Sequence, residues 1–546
     1  ILSGRGAYPF GEGGEMPVRL NKNSIFYHCL LLSTSSVVLQ LLGFGYRILL
    51  GRLAGAQAIA VYNLVMSAYN VVLSCTLTGV ALSVSRIASS YQAVGEGRSI
   101  VRLIRTALIL FLGLFCLLAI PFGLGRDFFA RKVLGNPQTA PALLLIVPCL
   151  FLTGFENVHK AFFYGTGQTF APTVSETLEM LCRIVGAVVL FSLARGVATL
   201  SDGQAAALIV CGMIVSELVS ATFLTTLYRF RRRKLKGRDT VPLAKILGDI
   251  ASVAVPVSLA TLLGRLISSA NMVLIPRVLM RAGAGYEAAM EEFGVLSGMT
   301  MPMLMLPSAF FSPLITVLSP RFSAGKALDD AVMIRRKAAK ALHVVGLFGL
   351  PAMTAMLVVG RELGYLLYQN PLAGSHLPML TAVTLAGFYY AVAESVLESI
   401  GLQKRCSVLT VLGSLCGLGC TLLLGGALRL GLTGYLCGEL VSALVGAGVC
   451  LFWIRRHTGL CLRVKNWVGR PLLASATAGA FARLLFVKLG EIAVLPALRL
   501  GFVLAAFFLM YTVFLRLLGT DFWQYTQNSL LKKEGRGGCH PQKGVL

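Results

Sequence analysis

Apolar stretches of about twenty residues follow one another from Ser24 to Leu518, separated by short polar loops. A run of roughly 20 apolar residues matches the hydrocarbon thickness of a bilayer, and a helix satisfies its own backbone hydrogen bonds where water is absent. The pattern predicts fourteen membrane helices, over 24–50, 58–84, 100–123, 140–165, 170–194, 204–228, 249–275, 293–320, 333–359, 377–400, 405–428, 431–455, 470–489 and 494–518. The fold expected is therefore an all-α polytopic membrane protein.

Lys and Arg gather in alternate loops. One side collects Arg5, Arg19 and Lys22, then Arg86 to Arg105, Lys160, the cluster from Arg229 to Lys245, Arg321 to Lys340, Lys404 and Arg405, Arg455 to Arg470, and the basic C-terminal tail. Basic loops stay in the cytoplasm, so both termini are expected there and the first helix runs outward. The division that follows is a disordered tail over 1–23, a first lobe over 24–228, a basic linker over 229–248 near anionic headgroups, a second lobe over 249–457, a final helix pair over 458–518 and a tail over 519–546.

Composition sharpens the picture. Of 546 residues, 56% are hydrophobic and 13% charged, with mean hydropathy +0.77. A net charge of +26 would suggest nucleic acid in a soluble chain, but here the cations lie in loops with few interleaved aromatics, so they set topology and no nucleic-acid partner is expected. The 13 cysteines are scattered singly, without a CxxC pair, and read as small core residues rather than disulfides or metal ligands.

The two lobes echo each other. Ser216-Glu217-Leu218-Val219-Ser220 resembles Gly438-Glu439-Leu440-Val441-Ser442, Leu82 to Arg86 resembles Val317 to Arg321, and Gly165 to Gln168 resembles Ser399 to Gln403. These matches pair helix 2 with 8, 4 with 10 and 6 with 12. Six helices per lobe make the repeats parallel, as in alternating-access transporters whose site lies between the halves.

Ionised side chains in hydrocarbon are costly, so each one marks a wet cavity or a partner. Helix 1 carries Arg47, helix 5 carries Glu176, Glu179 and Arg183, helix 6 Glu217, helix 7 Arg265 and Asn271, helix 10 Glu394 and Glu398, and helix 12 Glu439. Glu179 and Arg183, four apart, can pair on one face. Glu394 and Glu398 share a face with like charge, which repels unless a cation, proton or Arg intervenes. Glu217 and Glu439 fit either a transport role or a hydrogen bond between helices. Arg47 and Arg265 have no acid three or four residues away, and an unpaired guanidinium facing a cavity suits a phosphate or diphosphate. Glu156 and His159 form a single ExxH, too little to predict a metal. No GxSxG, Walker loop or HExxH is present, so neither an enzyme nor a cofactor is expected beyond coupling to Na+, H+ or the membrane potential.

Leu42 to Arg47, Gly51 to Ala56, Val61 to Leu64, Ala81 to Ala88, Tyr164 to Gln168, Leu178 to Val185 and Leu318 to Ser323 resemble the stage V sporulation protein B and polysaccharide-biosynthesis group. That group belongs to the multidrug/oligosaccharidyl-lipid/polysaccharide (MOP) exporter superfamily, with the MurJ-type lipid II flippases. The resemblance implies two six-helix lobes plus two further helices and a central cavity. It also implies alternating access that turns a polyprenyl-diphosphate-linked sugar between leaflets, for spore cortex or cell-wall polysaccharide. It maps cavity arginines onto Arg47, Arg52 and Arg265, and Asn271 stands where relatives often carry Asp. The expected partners are a lipid-linked glycan and membrane lipids, the expected state a monomer. A cation-coupled drug antiporter is the nearest rival, kept open by Glu217, Glu394, Glu398 and Glu439. A membrane glycosyltransferase would need an outer loop with paired carboxylates, for which only Glu287, Glu291 and Glu292 offer material.

Overall fold

The computed structural model describes residues 25–194, 200–235, 237, 240–308, 322, 330–461, 464–491 and 495–519, with side chains from residue 35 onward. The two expected tails, Lys236, Arg238, the Leu318 to Arg321 motif and Lys326 lie outside the described residues.

Every regular element among the described residues is helical. Twelve stretches are long and apolar enough to cross a membrane. The first, Ser35–Ala93, holds 59 residues, which would make a straight rod of about 90 Å. It is not straight. Gly55, at φ 81 and ψ 171, takes a conformation that a Cβ would disfavour, and it splits the stretch into α1 (25–54) and α2 (56–93). Leu50 and Ile59, and Tyr46 and Tyr62, lie nearly equidistant from Gly55 and meet in the same cluster and cavity wall, so the two arms fold back on each other.

The later helices are α3 (Gly97–Leu124), α4 (Ala140–Gly165), α5 (Phe170–Ala194), α6 (Asp202–Arg232), α7 (Leu243–Arg281), α8 (286–308), α9 (Ala331–Tyr368), α10 (Leu377–Ser399), α11 (Gln403–Ala427), α12 (Leu432–Thr458), α13 (Lys465–Lys488) and α14 (Pro496–Leu517). The second half of the expected eighth helix, 309–320, falls outside the described residues, so the count of fourteen rests there on sequence.

Hydropathy placed α4, α5 and α10 within a residue, but α6 and α7 run well beyond their apolar cores. Arg229, Arg231 and Arg232 close the last turn of α6, where cations complement the helix dipole, and Ser201 with Gln204 forms a capping box at its start. The expected linker 229–248 therefore shortens to 233–242.

The repeat is visible in the packing. In the first lobe α6 lies along α4 and α5, and in the second α12 lies along α10 and α11. The lobes meet where α2 runs against α7 and the α1–α2 hairpin against α8. The last pair, α13 and α14, docks on α9 through its own apolar core, which includes Val358, Ala474, Ala478 and Phe507.

Candidate functional site

A cavity of about 430 Å³ lies at this seam. Each wall is a helix face read at three- and four-residue spacing. From α2 come Tyr62, Asn63, Met66, Ser67 and Asn70, from α7 Arg265, Ser268, Ser269 and Met272, and from α8 Ser297, Gly298, Met301 and Met305. Arg47 enters from α1, and Met180 and Arg183 from α5. Three arginines thus line the cavity, and no carboxylate does among the described residues. Arg47 and Arg265 are exposed, and neither has an acidic partner there.

Cross-lobe hydrogen bonds close the edges. Ser269 donates to the Ser67 carbonyl at 2.8 Å, and Asn63 donates to Ser297 Oγ at 2.9 Å. Ser297 and Gly298 sit in a π-helical turn, Leu296–Thr300, where the extra residue per turn redirects side chains and often marks a functional position. Methionines at 66, 180, 272, 301 and 305 give the wall an adaptable apolar surface between its polar groups.

Behind the α5 wall lies a buried ionic network. Arg183 donates to Glu179 Oε1 at 2.5 Å and lies 3.4 Å from Glu217 Oε1, with Ser216 Oγ at 3.2 Å. Lys160 Nζ sits 2.9 Å from Glu156, 3.5 Å from Glu179 and 3.7 Å from Glu176. Ser175 and Ser220 both donate to Glu156 Oε1. One oxygen from each of Glu156, Glu179 and Glu217 falls within 4.8 Å of the others, and Glu217 Oε2 is buried without a hydrogen-bond partner. Three carboxylates, two of them buried and Glu179 half-buried, therefore face two cations, while Glu176 remains at the rim. Arg183 belongs to both places: its guanidinium anchors the network and also faces the cavity.

Lys160 is a correction. It is counted with the cytoplasmic-side cations, near the end of the helix expected over 140–165, yet it is buried in this network, because the acids of α5 come within reach. The ExxH pair divides: Glu156 joins the network, and His159 Nδ1 lies 2.6 Å from the Phe155 carbonyl with its ring against Tyr228.

The remaining expected residues lie away from the cavity. Arg52 does not line it: Nε donates to the Leu367 carbonyl at 2.5 Å and Nη2 to the Leu366 carbonyl at 2.8 Å, tying α1 to the end of α9. Asn271 Oδ1 is buried without a partner. Glu394 accepts from Thr410 at 2.7 Å and Tyr390 at 3.3 Å, so hydroxyls satisfy it rather than an Arg. Glu398 is exposed. Glu439 lies beside Gly417, where an added Cβ would stand 3.4 Å from its Oε1. Tyr62, Asn63 and the α7 serines are the lining residues that a search for ionised groups passes over; their helical spacing was the available signal.

Residues 27–326, more than half of the chain, match the family model described as polysaccharide biosynthesis protein. The chain belongs to that family. Among its relatives, stage V sporulation protein B of Bacillus subtilis (strain 168) is 22% identical over 76% of this chain and 80% of its own length. Sporulation protein YkvU of the same organism is 19% identical over 59% of this chain and 70% of its own. The lipid II flippase MurJ in an inward closed conformation superposes with a TM-score of 0.66 at 13% identity, covering 90% of this chain and 98% of that one. A MATE multidrug resistance transporter of the MOP superfamily, facing inward, reaches a TM-score of 0.64 at 17% identity over 79% and 98%. The fold is thus the one these multi-pass transporters have, and this polysaccharide biosynthesis family member shares it with flippase and drug exporter alike.

Proposed function

We propose that the protein flips a polyprenyl-diphosphate-linked oligosaccharide or peptidoglycan precursor across the bacterial cytoplasmic membrane by alternating access, in spore cortex or cell-wall polysaccharide synthesis. It acts as a monomer with both termini in the cytoplasm. The observation that carries this reading is the sign of the cavity: Arg47, Arg183 and Arg265 line it and, among the described residues, no carboxylate does. A guanidinium binds oxyanions through two parallel donors and stays charged at any physiological pH, which suits a diphosphate. Asn63, Asn70, Ser268 and Ser269 would hydrate a sugar, while the prenyl chain stays in lipid. A carrier of organic cations would want the reverse sign, and the acids that could serve it are withdrawn behind Arg183 or lie outside the cavity.

Coupling to Na+, H+ or the membrane potential belongs to the same proposal. The excess carboxylate of the Glu156, Glu179 and Glu217 group is where one monovalent cation would balance charge. The test is transport of a labelled lipid-linked glycan in liposomes. Arg47→Ala/Arg265→Ala should slow it by about tenfold or more, the scale of a lost charge-assisted hydrogen bond, with folding unchanged. Unaltered glycan transport, or efflux of an organic cation at a comparable rate, would sink the reading.

A further inference from the structure

A second cavity of about 770 Å³ lies apart from the first, where the end of α9 meets α13 and α14. Three arginines from three helices converge on it: Arg361, Arg483 and Arg499. Phe486 of α13 positions two of them. The Arg499 guanidinium lies 3.8 Å from the ring centroid, and its Nε and Nη2 both donate to the Phe486 carbonyl, Nε at 3.1 Å. Arg483 lies 5.5 Å from the same ring and pairs with Glu362 at 3.1 Å. Arg361 has neither an acidic partner nor a hydrogen bond from its side chain among the described residues. Three cations against one carboxylate leave two positive charges in excess. The first turn of α14, opened by Pro496, also faces the cavity and adds the positive end of its helix dipole.

The cavity sits at the level where helices end. Tyr365, in the last turn of α9, is 59% exposed, as expected of an aromatic at the membrane–water boundary. Along the same helices Leu484 and Leu498 are 69% and 64% exposed, a surface for acyl chains. Clustered cations beside such a surface recognise phosphate headgroups.

We propose that this cavity docks the phosphate-bearing headgroup of a lipid, with Arg361 as the free donor, Arg483 and Arg499 as pre-positioned ones, and the tail lying along α13 and α14. Its charge matches a diphosphate diester, which carries about two negative charges, better than a singly charged phospholipid. The site stands on its own residues and goes beyond the cargo reading. Leu366 lines it and also presents its carbonyl to Arg52, so a docked headgroup would sit next to the α1–α9 seam.

The test uses the full chain in phosphatidylcholine nanodiscs, titrated with a farnesyl-diphosphate sugar, a diphosphate diester, and with phosphatidylglycerol, and read by native mass spectrometry. All measurements are made in the Arg47→Ala/Arg265→Ala background, which takes away the two unpaired arginines of the central cavity, so that failure here and failure of the cargo reading remain separate. Arg361→Gln, which orphans no partner, should leave the unfolding temperature unchanged and weaken phosphate-lipid binding by about tenfold. Preference for the diphosphate would identify a cargo-type lipid as the occupant, and equal binding of the two would identify bulk anionic lipid; either supports the site. Binding undiminished in both Arg361→Gln and Arg361→Gln/Arg483→Gln would overturn it.

Discussion

Both lobes place a glutamate at the same point of their sixth helix, Glu217 in α6 and Glu439 in α12, and treat it in opposite ways. In the first lobe α5 brings Arg183 to 3.4 Å from Glu217. In the second, the neighbouring helix α11 brings Gly417, which supplies no charge. The first lobe locks its carboxylates into a five-member ionic core with Lys160, while the second leaves Glu439 with no counter-ion among the described residues and hands Glu394 to Thr410 and Tyr390. The repeat thus conserves backbone packing more strictly than electrostatics. It also explains why the same cavity is positive: the acids of the first lobe are spent on Arg183 and Lys160, leaving Arg47 and Arg265 free.

Four substitutions test this contrast. Arg183→Ala should have the largest effect, because it strands Glu217 as a buried charge and leaves Glu179 only Lys160, at a cost of about 3–5 kcal/mol. Thermal unfolding in detergent should show a large drop, or no folded protein. Next, Arg265→Ala alone should reduce affinity for a diphosphate lipid by about tenfold, equivalent to roughly 1.4 kcal/mol, with the unfolding temperature unmoved. Arg52→Ala removes two charge-assisted bonds to α9 and should loosen that seam by about 1 kcal/mol. Spin labels on α1 and α9 would report it as a broader or longer distance distribution. Glu439→Gln should be the mildest, within about 0.5 kcal/mol, since no cation loses its partner. A drop there as large as for Arg183→Ala would erase the difference between the lobes.

What the sequence revealed follows from what hydropathy measures. It reads the thickness of lipid, so α4, α5 and α10, whose helices end where the apolar run ends, were placed within a residue. It does not read backbone hydrogen bonding beyond the bilayer, so the basic last turn of α6 and both ends of α7 looked like linker. Arg47 and Arg265 stood out because an isolated charge in an apolar run has few explanations. Lys160 was misread for the converse reason: near a helix end it was counted among the cations that set topology, and its three acidic partners include Glu176 and Glu179 on the next helix. Arg52 shares a helix and a motif with Arg47, yet five residues of helical rotation turn it to carbonyls of α9. Those distances depend on how the lobes pack, which no local pattern encodes.

The corner at Gly55 reaches further than its two neighbours. A chain that failed to double back there would leave its second arm stranded in water or would enter the bilayer one crossing short, and every later helix would point the wrong way. The arginine-rich loops would then have to be pulled through lipid against the sidedness their charges impose. The sidedness expected from the loop cations therefore holds only together with one absent methyl group, and the two must agree.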